Sequence, residues 1–168
     1  DRIFGRYFPV MNSKKWILEV NGYRIGPRAN LAGANLKSAD LTRTDLTKAI
    51  LEHANLAGAS MIEANLTGAN LTGANLSNAD LSNARLTGAY LVYSKLTSTN
   101  LLGAHLMNAN LTGANLKGAD LTFASLENAI LVSANLTGAN LKYAKLTGAY
   151  LSDTNLTGAT MPDGTIHD

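Results

Sequence analysis

At 168 residues the chain is long enough to fold as one domain with a sizeable core, and the absence of cysteine removes disulfides and thiolate chemistry. Leu and Ala dominate, aromatics are few, and Asn, Thr and Gly are abundant, a bias that marks a repeat rather than an ordinary globular mix. The net charge of +2 is uneven: residues 1–28 hold six basic side chains against two acidic ones, and the remaining eight basic and ten acidic residues leave the body at −2. That body lacks the basic stripe a nucleic-acid binder needs, so no nucleic-acid partner is expected.

In residues 1–28 the repeat pattern is absent, and this segment is expected to cap the fold. Trp16, Leu18 and Val20 alternate, Asn21-Gly22 is a strong hairpin turn, and Tyr23 and Ile25 alternate after it. The alternative is a short helix from Asn12 that stops at Gly22. Either cap covers an open end that otherwise exposes Leu and unpaired backbone.

From residue 29 to residue 161 one frame holds without a slip. Every fifth residue from Leu31 onward is Leu, replaced by Met at Met61 and Met161. Two places before each stands Ala, with Thr44, Ser94, Thr99 and Thr154 as small exceptions. A period of five suits neither a helix nor a simple strand, but it suits a short extended piece followed by a turn. In the extended piece Ala and Leu, two apart, share the inward face, and both slots are expected to be almost wholly buried from Leu36 to Leu151. The turn needs positive φ at its second central residue, which Gly supplies at positions such as Gly73 and Gly113. Outward apolar residues in the slot before Leu fall at Ile50, Tyr90, Ile130 and Tyr150, and Asp40, Asp80 and Asp120 share that slot. Both sets are spaced by multiples of twenty, which implies four sides per coil and about seven coils stacked at roughly 4.8 Å. In residues 162–168, Pro162 is expected to end backbone pairing and Asp163-Gly164 to turn the chain, a thin tail that a partner, a longer parent chain or a second copy could cover.

These repeats, of which Ala69-Asn70-Leu71-Thr72-Gly73 and Ala114-Asn115-Leu116-Lys117-Gly118 are typical, closely resemble the pentapeptide-repeat family, and the ending from Thr157 resembles cyanobacterial members. The resemblance implies an all-β fold, the right-handed quadrilateral β-helix. It also brings a functional alternative, since some members imitate duplex DNA and modulate a type II topoisomerase. Such imitation needs a strongly acidic surface and, in those members, loops that interrupt the coil. The near-neutral body and unbroken frame disfavour it.

No catalytic constellation is found. His53 and His105 fall on different sides without a second ligand at metal spacing, and neither a phosphate loop nor a Ser-His-Asp order occurs. The chain is therefore read as a non-enzyme without cofactor or metal. Arg43 and Glu63, one coil apart, are expected to form an exposed ion pair, and Phe123 and Tyr143 a small stack. Asn35, Asn55 and Asn75, then Asn115, Asn135 and Asn155, are expected to form side-chain ladders. A row of Thr at Thr47, Thr67 and Thr87, of the kind that binds ice or glycans, breaks at Met107 and Glu127.

One feature points outward. Ile50, Tyr90, Val92, Tyr93, Ile130, Val132 and Tyr150 share one side, in slots with no core to enter, and form the candidate partner-binding surface. The expected partner is a protein or a second copy of the chain. No run is apolar enough to cross a bilayer and no secretory signal is visible, so direct membrane insertion is not expected. A soluble protein is expected, the cytoplasm ranking ahead of the periplasm or thylakoid lumen. The start at Asp1 suits a processed protein or a module of a larger chain.

Overall fold

The structure, a computed structural model, describes residues 5–9 and 16–168. Each repeat is a three-residue extended piece and a turn. Leu31, an alanine, Gly33 and Ala34 make such a turn: Ala34 N donates to Leu31 O at 3.0 Å, and Gly33 has φ 65°. The same left-handed backbone recurs at every fifth residue from Arg28 to Gly158, with Gly at some of these positions and residues as large as Tyr93, Phe123 and Tyr143 at others. Glycine is thus favoured there but not required.

Successive coils pair in parallel at a separation of twenty residues, from Asn30↔Ile50 to Asn140↔Thr160. Four repeats close one coil. Leu31 N donates to Ile50 O at 2.7 Å, Gly33 N to Glu52 O at 2.8 Å, and Ile50 N to Ala29 O at 2.9 Å, and the pattern repeats along the rod. We number the sides by the outward slot before Leu: side one holds Asn30, Ile50 and so on, side two Asn35, side three Asp40 and side four Asp45.

Leu and Ala fill the interior. The leucines from Leu31 to Leu141 and Met61 are at most 1% exposed, and each buried Leu contributes about 1.5–3 kcal/mol relative to exposure. The four polar exceptions in the Ala slot each satisfy their hydroxyl. Thr44 and Ser94 donate to Leu41 O and Leu91 O at 2.7 Å, and Thr99 and Thr154 donate to Leu76 O and Leu131 O at 2.8 Å.

The repeat leaves one backbone amide over. The N–H of the residue after Leu has no partner in the coil ladder, and where an Asn or Asp stands two residues back its side-chain oxygen takes it. Asn75 Oδ1 accepts from Ser77 N at 3.2 Å, Asn115 Oδ1 from Lys117 N at 3.2 Å, and Asn135 Oδ1 from Thr137 N at 3.0 Å. This corrects the expected ladders. Asn35, Asn55, Asn75, Asn115, Asn135 and Asn155 do not bond to one another; each turns its carbonyl oxygen to the amide two residues on in its own coil. A local acceptor at fixed geometry wins over a neighbour one coil away.

The first coil is covered by a three-stranded antiparallel sheet of β1 (Arg6–Pro9), β2 (Trp16–Val20) and β3 (Tyr23–Ile25), in the order β1-β2-β3. Asn21 and Gly22, at φ 51° and 80°, form the two-residue loop between β2 and β3, as a type I′ turn requires. Val20 and Ile25 enter the core, Leu18 and Tyr23 pack against it, and Asn21 Nδ2 donates to Asn35 O at 3.0 Å. Residues 16–25 thus form the hairpin of the two alternatives, and the helical start at Asn12 lies outside the described residues. The strand β1 was not expected.

At the far end two expectations fail. Pro162 does not end pairing: its carbonyl accepts from Tyr143 N at 3.0 Å, and the chain then folds back so that Thr160 pairs antiparallel with Ile166. Met161 N donates to Thr165 O, and His167 N to Ala159 O, across this hook. Near-complete burial does not reach Leu151 either. Leu146, Leu151 and Leu156 are only partly buried, because the hook covers side three while the other sides of the last coil have nothing above them.

Candidate interaction surface

All seven candidate residues lie on side one or its corner. Ile50, Tyr90, Tyr93 and Tyr150 are exposed, Tyr93 most at 69%. Val92, Ile130 and Val132 are half-buried. Their arrangement is banded. Up the central column run Asn30, Ile50, Asn70, Tyr90, Asn110, Ile130 and Tyr150, each bridged to the next. Large apolar levels therefore alternate with small polar ones, until Ile130 and Tyr150 stand on adjacent coils.

In each small level Asn binds its own turn. Asn70 Oδ1 accepts from Thr72 N at 3.1 Å and from Thr72 Oγ1 at 2.7 Å, and Asn110 does the same for Thr112. In the large levels no such acceptor exists, so the amides of Glu52, Val92, Val132 and Ser152 have no protein partner among the described residues. The apolar residues thus forgo a hydrogen bond that Asn or Asp makes from this slot, as do Arg85, Lys95 and His105 on other sides. Nothing in the fold requires them.

The corner beside this column alternates in the same phase. His53 leans over Gly73 and Tyr93 over Gly113, so closely that a Cβ on Gly113 would lie 2.5 Å from Tyr93 Cδ1 and Cε1. Gly113 thereby leaves room at the corner for the edge of the Tyr93 ring. The middle of side one carries no charge from Asn70 through Ser133. Its charges sit at the ends: Arg28, Lys48 and Glu52 near the cap, and Asp153 near the hook. Glu52 Oε1 accepts from Asn70 Nδ2.

Elsewhere the outer surface is mostly a solvated polar face, with one smaller apolar cluster at the corner of sides three and four. Arg43 and Glu63 form the expected exposed pair, Nε to Oε2 at 2.9 Å, which holds the Glu63 carboxyl below its usual range and raises Arg43. The Thr47 hydroxyl and amide lower Asp45. On side three Asp40, Asp80 and Asp120 alternate with Ser60, Asn100 and Asn140, and Asp80 and Asp120 cap the amides of Ser82 and Thr122. Phe123 and Tyr143 stack as expected, with centroids 4.9 Å apart and planes 20° apart, and Lys142 Nζ lies 5.1 Å from the Tyr143 ring centre. Leu102 and Met107, exposed near that corner, were missed, although both occupy outward slots where Thr or Ser is usual. Among the described residues no group of three His, Asp or Glu could hold a metal. No described helix is long and apolar enough to cross a membrane.

The family model for pentapeptide repeats matches in eight copies, over residues 28–61, 49–88, 89–128 and 119–158. The chain belongs to the pentapeptide-repeat family. Its fold is accordingly the right-handed quadrilateral β-helix of that family. Among solved pentapeptide-repeat structures, it is similar to HetL, a protein involved in heterocyst differentiation regulation from the cyanobacterium Nostoc sp. strain PCC 7120: 38% identity over 84% of this chain and 76% of that one, TM-score 0.50. It is also similar to Rfr23 from the cyanobacterium Cyanothece 51142, at 41% identity over 62% of this chain and 64% of that one, TM-score 0.39. A trypsin-treated form of QnrB1, a plasmid-mediated fluoroquinolone resistance protein, shares 20% identity over 80% of this chain and 73% of that one, TM-score 0.49. No curated protein matches the chain.

Proposed function

We propose that this pentapeptide-repeat protein is a non-enzymatic scaffold that binds a protein partner through side one. In this reading residues 1–28 serve as a cap, residues 29–161 as the rigid support and residues 162–168 as a tail. The observation that carries it is the set of apolar and aromatic side chains in outward slots of side one, of which Ile50, Tyr90, Ile130 and Tyr150 stand where Asn70 and Asn110 cap a turn. Aromatic anchors with few charges around them are the composition of an interface centre. The likeness to HetL, involved in regulating differentiation, favours a regulatory setting over a catalytic one. Imitation of DNA finds little support, because the carboxylates of side three alternate with neutral residues and the body sums to −2.

The test changes Tyr90, Ile130 and Tyr150 together to Asn, which the slot already accepts at Asn70 and Asn110. The variant is expected to fold, since none of the three faces the core, and to lose the association of the wild type. A folded triple variant that keeps every association would place the partner site elsewhere.

A further inference from the structure

We propose that side one is shaped for an extended, proline-rich segment of its partner in the polyproline II conformation, lying along the solenoid axis. This rests on the reading of side one as the partner surface and names the chemistry of what docks there.

The argument begins with period. Coils stack at about 4.8 Å, and large side chains occupy every second level at Ile50, Tyr90 and Ile130. The ridges therefore repeat at about 9.6 Å. A polyproline II helix has three residues per turn and a rise of about 3.1 Å, so its own surface repeats at about 9.3 Å. Three ridges match three successive turns with a mismatch well under an ångström per turn. A β-strand laid the same way, at about 6.8 Å per side-chain pair, falls out of phase after one ridge.

Hydrogen bonding agrees. Polyproline II has no internal hydrogen bonds and leaves its carbonyls to be solvated or bound. Between the Tyr90 and Ile130 ridges lies Asn110. Its Oδ1 is occupied by Thr112, and among the described residues nothing accepts from its Nδ2. A side-chain amide donor between apolar ridges suits a chain of carbonyls that offers no N–H of its own at proline. The flanks are Val92 and Val132, half-buried, and Tyr93, whose ring edge lies over Gly113 at the corner. Charge is complementary as well. Twelve outward positions from Asn70 to Ser133 are uncharged, as is a proline-rich run, while Arg28, Lys48 and Glu52 leave one end at +1 and Asp153 stands beyond the other. The segment is oriented with an acidic flank at the cap end and a basic flank at the hook end.

The probe is acetylated nonaproline, about three turns long, titrated into the 15N-labelled chain, with a Gly-Ser peptide of equal length as control. Nonaproline is expected to shift the Asn110 side-chain amide and the backbone amides of Val92, Thr112 and Val132 saturably, and the Gly-Ser peptide to shift none of them. Asn110→Asp keeps the turn acceptor, as Asp120 does for Thr122, but removes the donor, and is expected to weaken nonaproline about fivefold. Tyr90→Asn is expected to weaken it further. Nonaproline that leaves these resonances unmoved at millimolar concentration, or a Gly-Ser peptide that moves them equally, overturns the inference. If the Tyr90, Ile130 and Tyr150 triple variant still loses the wild-type association in that case, the partner surface stands and only the class of its ligand is wrong.

Discussion

Asn75 and Gly113 show how a single residue acts in this fold. Asn75 accepts the amide of Ser77, which no coil neighbour reaches. Asn75→Ala is expected to cost about 1 kcal/mol, a fall of about 2–4 °C in Tm, whereas Asn75→Asp keeps the acceptor and should stay near wild type. Calorimetry of the two variants separates this capping role from a ladder role. For Gly113, the comparison is with Gly88, which has the same left-handed backbone and nothing within 4 Å of a Cβ. Gly88→Ala should cost about 1 kcal/mol for the backbone alone. Gly113→Ala should cost more, because its methyl also meets the Tyr93 ring, and adding Tyr93→Gly should bring it back to the Gly88→Ala level. Equal melting of the two single variants would contradict this contact.

Three carboxyls are held below their usual range by neighbours: Asp45 by the hydroxyl and amide of Thr47, Glu63 by Arg43, and Asp163 by the hydroxyl and amide of Thr165. Each is thus lower in the folded state than in the unfolded one. Their contribution is full above the ordinary carboxylate range near pH ~4 and is lost as pH falls through the folded values. All three are largely exposed, so the effect is small. Asp45→Asn should lower Tm slightly at neutral pH and converge on wild type at low pH, which flattens the acid side of a Tm-against-pH curve.

At the scale of elements, the solenoid and its cap have different origins in the sequence. The coil was legible because one phase of Leu and Ala holds throughout, and the spacing of Ile50, Tyr90, Ile130 and Tyr150 by multiples of twenty marks the four sides. The hairpin was legible from Asn21-Gly22 between alternating apolar residues. The strand β1 was not, because its pairing with β2 depends on chain outside the repeat and no turn signal marks it. The Asn cap was hidden for a different reason. Its spacing to the next Thr or Ser is plain in the sequence, but which amide remains unpaired appears only once the coil ladder is drawn. Likewise, the lost burial at Leu146 and Leu151 follows from what lies above a coil, which a repeat does not encode.

Two element-scale outcomes follow. Leu96→Lys places a charge among leucines in mid-rod and should cost more than about 3 kcal/mol; a variant melting within about 2 °C of wild type would contradict the core assignment. Val20→Asp does the same in the cap. Because each coil contacts only its neighbours, hydrogen exchange should accelerate at Leu31 and Leu36 first and leave Leu96 and Leu116 protected. Uniform acceleration along the rod would mean that the cap is not a local lid.

For the whole molecule, the four sides share one interior and differ only outside. That separation lets one side be changed without touching the core, and the fold does not require the apolar bands of side one. The seven outward residues were legible from their slots. Their banding is a property of the folded coil, in which the Asn levels between them cap their own turns and, at Asn110, leave a donor over.

The most direct measurement of side one as the working surface is site-specific photocrosslinking in the native host. A benzophenone amino acid replaces Tyr90 on side one, and in separate variants Lys95 on side two and Ser125 on side four, none of which faces the core. Adducts of a single higher mass are expected from position 90 and not from positions 95 or 125. Equal adducts from all three positions, or adducts from 95 or 125 alone, would contradict the account.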